Sequence, residues 1–162
     1  MTPTKITLIE RGSGRWTVEN ESEVLCEIEG ASAHRLKPKL LHVRAQGRMW
    51  HFVPKVAKQQ SSFVVAAVYG TLEGSADASA FIYPGRMHRD GDHYTWLTSD
   101  LQTVVSLAGE RVIEFTKVWE DSKLERGHRY EISSLALPKG RPHELLYALP
   151  ILKDFAYKKD YW

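Results

Sequence analysis

Cysteine is nearly absent from this chain. Cys26 is the only one, which rules out an intramolecular disulfide and any zinc site built on several thiolates. No apolar run approaches the roughly 18 residues of a membrane span, and the start of the chain carries no run of signal-peptide length. A cytoplasmic location is therefore expected. There is no internal repeat, no low-complexity tract, no Gly-rich phosphate loop between a strand and a helix, and no dinucleotide fingerprint. No cofactor is expected on those grounds. Acidic residues are missing from one long stretch: positions 30–72 contain no Asp or Glu.

What is present describes a globular chain. Its 162 residues, 43% hydrophobic and 26% charged, fit one β-rich domain over 1–162 with a core of its own. Five Trp, seven Tyr and five Phe supply large anchors. Trp16, Trp50, Trp96 and Trp119 fall in predicted strands and are read as core. The terminal Tyr161-Trp162 pair is either tucked against the body or held out for a partner. Cys26 lies mid-strand and reads as a small buried hydrophobe.

Most of the chain alternates as strands do. Residues 5–10 and 15–19 form a hairpin around Arg11-Gly12-Ser13-Gly14. Residues 23–29 follow, with Val24, Cys26 and Ile28 on one face. Residues 39–45 and 48–53 form a second hairpin around Gln46-Gly47, with Leu41 opposite Phe52, His42 opposite His51 and Arg44 opposite Met49. Strands are also expected at 62–69, 80–83, 93–97, 111–120 and 128–137, with a polar loop at 86–92. Thr98 or Ser99 can cap a helix from Asp100 to Ala108, with Gly109 just past its end. Pro142 opens two helical turns that Pro150 interrupts, and the tail from Ile151 docks as a terminal helix.

The expected class is α+β: a mainly antiparallel sheet or partly closed small β-barrel with a mid-chain helix and a C-terminal helix. The segment beginning Lys123-Leu124-Glu125-Arg126-Gly127-His128 resembles the turn into a strand used by small β-barrels such as OB-folds. That pattern is generic to the architecture.

Two constellations could carry function. Residues 1–29 hold six acids against three bases; the acid-free window then holds Arg35, Lys37, Lys39, Arg44, Arg48, Lys55 and Lys58 with His34, His42 and His51. Such a ribbon can track phosphates through Lys, Arg and His donors, or it can be a solvated edge kept charged against aggregation. A His42/His51 pair could also serve as general acid and base beside Lys39 or Arg44. The second constellation is His88-Arg89-Asp90-Gly91-Asp92-His93. Its imidazoles and carboxylates suit zinc or manganese, and its spacing resembles the H-x-H-x-D-H signature of metallo-β-lactamase-fold hydrolases, with Asp90 in place of the second His. The same residues also make a tight turn, with His88 and His93 expected to point apart.

The expected function is a non-enzymatic binding module presenting a basic surface to nucleic acid or an acidic protein partner. Its expected contacts are Arg35, Lys37, Lys39, His42, Arg44, Arg48, His51, Lys55 and Lys58. The alternatives are a small metal-dependent hydrolase or phosphodiesterase centred on His88, Asp90, Asp92 and His93, and a structural subunit of a protein assembly.

Overall fold

The computed structural model describes residues 5–12, 14–31, 40–59, 62–75, 79–89, 91–99, 101–119, 128–137 and 143–157. Twelve strands run in chain order: β1 Ile6–Gly12, β2 Arg15–Glu19, β3 Val24–Ala31, β4 Leu40–Ala45, β5 Arg48–Gln59, β6 Ser62–Leu72, β7 Ser79–Tyr83, β8 Arg86–Arg89, β9 Asp92–Ser99, β10 Gln102–Leu107, β11 Glu110–Trp119 and β12 His128–Ser134. Each pairs antiparallel with its neighbour in sequence, and β12 returns to β1, so the sheet closes into a barrel. Closure leaves no strand edge to protect.

Turn chemistry sets the register. Gln46 and Gly47 take φ values of 51° and 75°, the two positive dihedrals of a type I′ turn, whose twist matches that of the flanking strands. The predicted pairing follows residue for residue: Leu41 with Phe52, His42 with His51, Val43 with Trp50, Arg44 with Met49 and Ala45 with Arg48. Ala108 and Gly109 repeat the device at φ 53° and 84°.

That second turn corrects the mid-chain helix. Residues 102–107 are β10, not a helix from Asp100 to Ala108. Thr103 and Val105 are buried while Val104 and Ser106 are only partly so, a period of two that helical spacing cannot produce. Gly109, expected just past a helix end, instead completes a hairpin turn, and Val104-Val105 suit the strand before it because β-branched residues fit a pleated surface. Most of the predicted polar loop at 86–92 is strand instead, with β8 over Arg86–Arg89 and β9 starting at Asp92. The α+β description gives way to a closed β-barrel with two short helices. Val24 departs from its predicted face: it is 50% exposed, because the register slips between Val18 and Glu19 on the adjoining strand.

Every strand sends apolar side chains into the lumen. Leu8, Val18, Ile28, Val43, Trp50, Phe52, Ile82, Met87, Ile113 and Phe115 are fully buried there. They cannot fill it alone. Eight strands make a barrel whose own side chains meet at the axis. Twelve strands spaced about 4.8 Å apart and tilted about 40° enclose a backbone diameter of roughly 24 Å. The remaining width is close to that of an α-helix, about 10–12 Å, and the C-terminal segment supplies one. α1 (Glu144–Tyr147) and α2 (Leu149–Tyr157) bring Leu145, Leu146, Ala148, Leu149 and Leu152 into the same buried cluster. α1 lies against β3 and β4, and α2 against β6 and β7. Leu145, Ala148, Leu149 and Leu152 recur at helical spacing, so the segment turns a continuous apolar face to the strand side chains. The helix breaks at Ala148, just ahead of Pro150, and Pro150 occupies the first turn of α2, where an N–H would have no partner. Pro142 and the Tyr161-Trp162 pair lie outside the described residues.

One polar network enters the lumen with the helix. Glu144, 5% exposed, accepts hydrogen bonds from Trp50 Nε1 and from the Arg89 guanidinium, both at 2.9 Å. The guanidinium carbon also sits 5.1 Å above the Trp50 ring, so cation, indole and carboxylate satisfy one another. Cys26 packs beside them, its Sγ 3.9 Å from the Glu144 carbonyl oxygen. Burial, reinforced by the Glu144 and Glu27 charges, pushes its thiol up to about 12. It is an inert core residue.

Candidate functional site

Alternation divides each strand between lumen and outer wall, and the wall is where the candidate residues gather. Arg35, Lys37 and Lys39 lie outside the described residues. His42, Arg44 and His51 face outward from the β4–β5 hairpin. Arg48 pairs with the buried Ala45 and lies on the lumen side at the hairpin tip. Lys55 and Lys58 belong to β5, opposite Ala67 and Phe63; their side chains are outside the described set.

The acid-free segment does not make an acid-free surface. β3 runs beside β4 and sets Glu27 opposite Arg44 and Glu29 opposite His42. On the other side, Glu73 reaches His51, Oε2 to Nε2, at 3.0 Å. The carboxylates missing from the window are returned to it by the neighbouring segments. Cross-strand pairs of opposite charge are modestly stabilising, and here they offset the positive charge of the hairpin.

His42 and His51 form the tightest contact on this wall. Their Nδ1 atoms are 2.7 Å apart, with the rings nearly perpendicular. At that distance one nitrogen must carry a proton and the other a lone pair. With both rings neutral, His51 donates Nε2–H to Glu73, which leaves its Nδ1 as acceptor for the Nδ1–H of His42. Partial burial and then His51 hold the His42 imidazole below its ordinary value of 6.5, against an opposing pull from Glu29. Glu73 is the member that sequence reasoning missed. It stands in the turn after β6, fixed there by its own N–H bonded to the Met49 carbonyl at 2.8 Å, and only the β5–β6 register reveals it.

A second row crosses β5 to β9. Val53 pairs with Tyr69, Tyr69 with Phe81, Phe81 with His88 and His88 with His93. Ring centroids step along it: Tyr69 to Phe81 4.9 Å, Phe81 to Tyr83 6.4 Å, Tyr83 to His88 5.4 Å and His88 to His93 4.1 Å. Arg86 lies over Tyr83, its guanidinium carbon 4.8 Å from the ring centre. These side chains are half-buried or exposed. Among the described residues, no Asp or Glu faces outward from β6, β7, β8 or β9. Burial, then His93, then Arg86 lower the His88 imidazole below 6.5. Leu97, 83% exposed, continues the apolar character along β9. The signal available in sequence was Ala80-Phe81-Ile82-Tyr83, where small and aliphatic residues point in and aromatic ones point out.

The 88–93 cluster is redistributed by the same alternation. His88 and His93 do not point apart; they are direct cross-strand partners on the outer wall. Asp92 pairs with Arg89 and shares the lumen side with Tyr94, while Asp90 lies outside the described residues. No group of three His, Cys, Asp or Glu suited to a metal occurs among the described residues. Among the described residues, no helix is long and apolar enough to cross a membrane. No protein family, no curated protein and no solved structure matches this chain, so its wall is read from its own chemistry.

Proposed function

We propose that the protein is a binding module whose β6–β9 outer wall takes single-stranded nucleic acid. Tyr69, Phe81, Tyr83 and the His88–His93 pair offer the faces on which bases stack, and Arg86 meets the phosphates. The observation that supports this reading is the continuous outward aromatic row with an arginine laid across it and no described carboxylate beside it. Stacking of a base on an aromatic side chain contributes about 1–3 kcal/mol and tolerates any sequence. An extended sheet face presenting such rings selects splayed bases over a duplex, whose bases are already stacked. The basic hairpin first expected to hold the ligand becomes a lesser contributor, since Glu27, Glu29 and Glu73 stand against it.

Fluorescence anisotropy with a labelled ten-nucleotide oligo(dT), at low salt, tests the proposal. The parent should bind the single strand better than a duplex of equal length. Phe81→Ala and Tyr83→Ala should each weaken binding about tenfold, one stacking contribution of about 1.4 kcal/mol. Arg86→Glu should weaken it and flatten the log–log salt slope by about 0.7 for each phosphate no longer engaged. Arg44→Glu should change little. No binding by the parent, or a larger loss from Arg44→Glu than from Tyr83→Ala, would refute the assignment.

A further inference from the structure

The Glu73–His51–His42 chain lies apart from that aromatic row, and its geometry poses its own question. Two imidazole nitrogens 2.7 Å apart on adjacent strands face each other across one shared proton, and a divalent ion can take that proton's place once the two rings turn toward a common point. The outer nitrogen of one ring is held by a carboxylate. A carboxylate oriented on the far nitrogen is the usual companion of a metal-binding histidine, because it fixes the tautomer and raises the basicity of the ligating nitrogen. Here Glu73 fixes His51 with its Nδ1 lone pair turned toward His42.

The separation also speaks to which ion fits. Two nitrogens each about 2.0–2.1 Å from a metal lie about 2.8–3.0 Å apart at a right angle, and about 3.3–3.4 Å apart at the tetrahedral angle. The hydrogen-bonded pair, 2.7 Å apart, has to open by only a few tenths of an ångström to reach the first and by more than half an ångström to reach the second. Right-angled nitrogen pairs belong to tetragonal copper(II) and nickel(II), and the tetrahedral pair to zinc.

Charge around the pair favours a cation. Glu29 stands opposite His42 and Glu27 opposite Arg44, and Glu73 closes the far side. The described cations set against these three carboxylates on this wall are Arg44, opposite Glu27, and Arg15, opposite Glu29 on the side away from His42. The His88–His93 pair differs on each count. Its rings lie against one another at 4.1 Å, tilted by 45°, rather than nitrogen to nitrogen, and its charged neighbour is Arg86.

We propose that His42 and His51 chelate a divalent copper or nickel ion through their two Nδ1 atoms, with Glu73 as the carboxylate that positions His51 and water completing the coordination. No electron is transferred. The His42 proton moves from Nδ1 to Nε2 as the metal takes its place, so both rings remain neutral ligands.

Titration of the untagged full chain with copper(II) tests this, read by electron paramagnetic resonance and visible absorption. One equivalent should bind with a tetragonal spectrum showing hyperfine coupling to two imidazole nitrogens. His42→Gln and His51→Gln should each weaken that site at least tenfold and remove one nitrogen from the spectrum. Glu73→Gln should weaken it about tenfold with both nitrogens kept, the mark of a positioning residue. His88→Gln/His93→Gln should leave it unchanged. All these positions are on the outer wall, and matching thermal midpoints will confirm that the variants fold. Nickel should compete better than zinc. A copper spectrum with no imidazole coupling, or one unchanged in His42→Gln, would overturn the proposal, as would loss of the site in the His88/His93 variant instead.

Discussion

Replacing Glu144 probes the link between the C-terminal helix and the barrel wall. Its carboxylate accepts from Trp50 Nε1 and from Arg89 at 2.9 Å each, and the Glu144 and Arg89 side chains are only 5% and 10% exposed. Alanine at this position would take the Glu144 carboxylate away from a buried guanidinium, a loss of about 3–5 kcal/mol, and leave an indole N–H without this acceptor, about 1–3 kcal/mol more. Against a typical total of about 5–15 kcal/mol, that variant would be barely folded. Glu144→Gln is the sharper test. Its carboxamide oxygen can still accept from Trp50, while the charge opposite Arg89 is gone, so a loss of about 2–3 kcal/mol is expected. Adding Arg89→Met should restore part of that loss, because a buried ion pair and an apolar pair of similar volume are often nearly equivalent. Urea unfolding followed by tryptophan fluorescence gives both numbers, and the double-mutant cycle gives the coupling, expected at about 1.5 kcal/mol or more. A Glu144→Gln loss under about 0.5 kcal/mol, or strict additivity, would refute the reasoning that this network anchors the helix.

A Cβ at Gly70 would lie 2.2–2.9 Å from three ring atoms of Phe52, so Gly70→Ala should cost about 1–3 kcal/mol by overpacking, with part of it recovered when Phe52→Leu is added; an unchanged urea midpoint would contradict the close approach. Ala108 holds φ 53°, so Ala108→Asn should stabilise by about 0.5–1 kcal/mol in calorimetry, whereas in a helix the same change would destabilise by about 0.7 kcal/mol. The His42 and His88 imidazoles are both held below their ordinary 6.5 in the folded protein, chiefly by burial. The unfolded chain therefore binds more protons as the pH falls, and this contribution to stability is complete above about 6.5 and lost below it. Thermal midpoints should drop between pH 7 and 5, and drop less in His42→Gln/His88→Gln; parallel curves for the two proteins would contradict the shifts.

How much of this was legible in sequence depended on whether the signal was local. The 39–53 hairpin was readable to the residue because Gln46-Gly47 demands one turn type and Leu41, Val43, Trp50 and Phe52 demand one face. The barrel was readable as a tendency, from alternation and turn residues. Its closure and twelve-fold size were not, since they depend on β12 finding β1 across the whole chain. The mid-chain helix failed because Thr98-Ser99-Asp100 and Gly109 serve as well at the ends of a strand as at the ends of a helix. The acids around the basic window were hidden for a related reason. Charge was counted along the chain, whereas the sheet sets Glu27 and Glu29 on one side of the hairpin and Glu73 on the other. The aromatic row was hidden because Tyr69, Phe81, Tyr83, His88 and His93 come from four strands and meet only through register.

Amide chemical-shift mapping with a saturating single-stranded oligonucleotide tests the proposed function most directly. The account predicts perturbations concentrated on the outer-wall positions of β6 to β9, at Tyr69, Phe81, Tyr83, Arg86, His88 and His93, with β1, β2, β11 and β12 unmoved. Perturbations centred on β11 and β12, confined to the β4–β5 hairpin, or absent at saturation would contradict it.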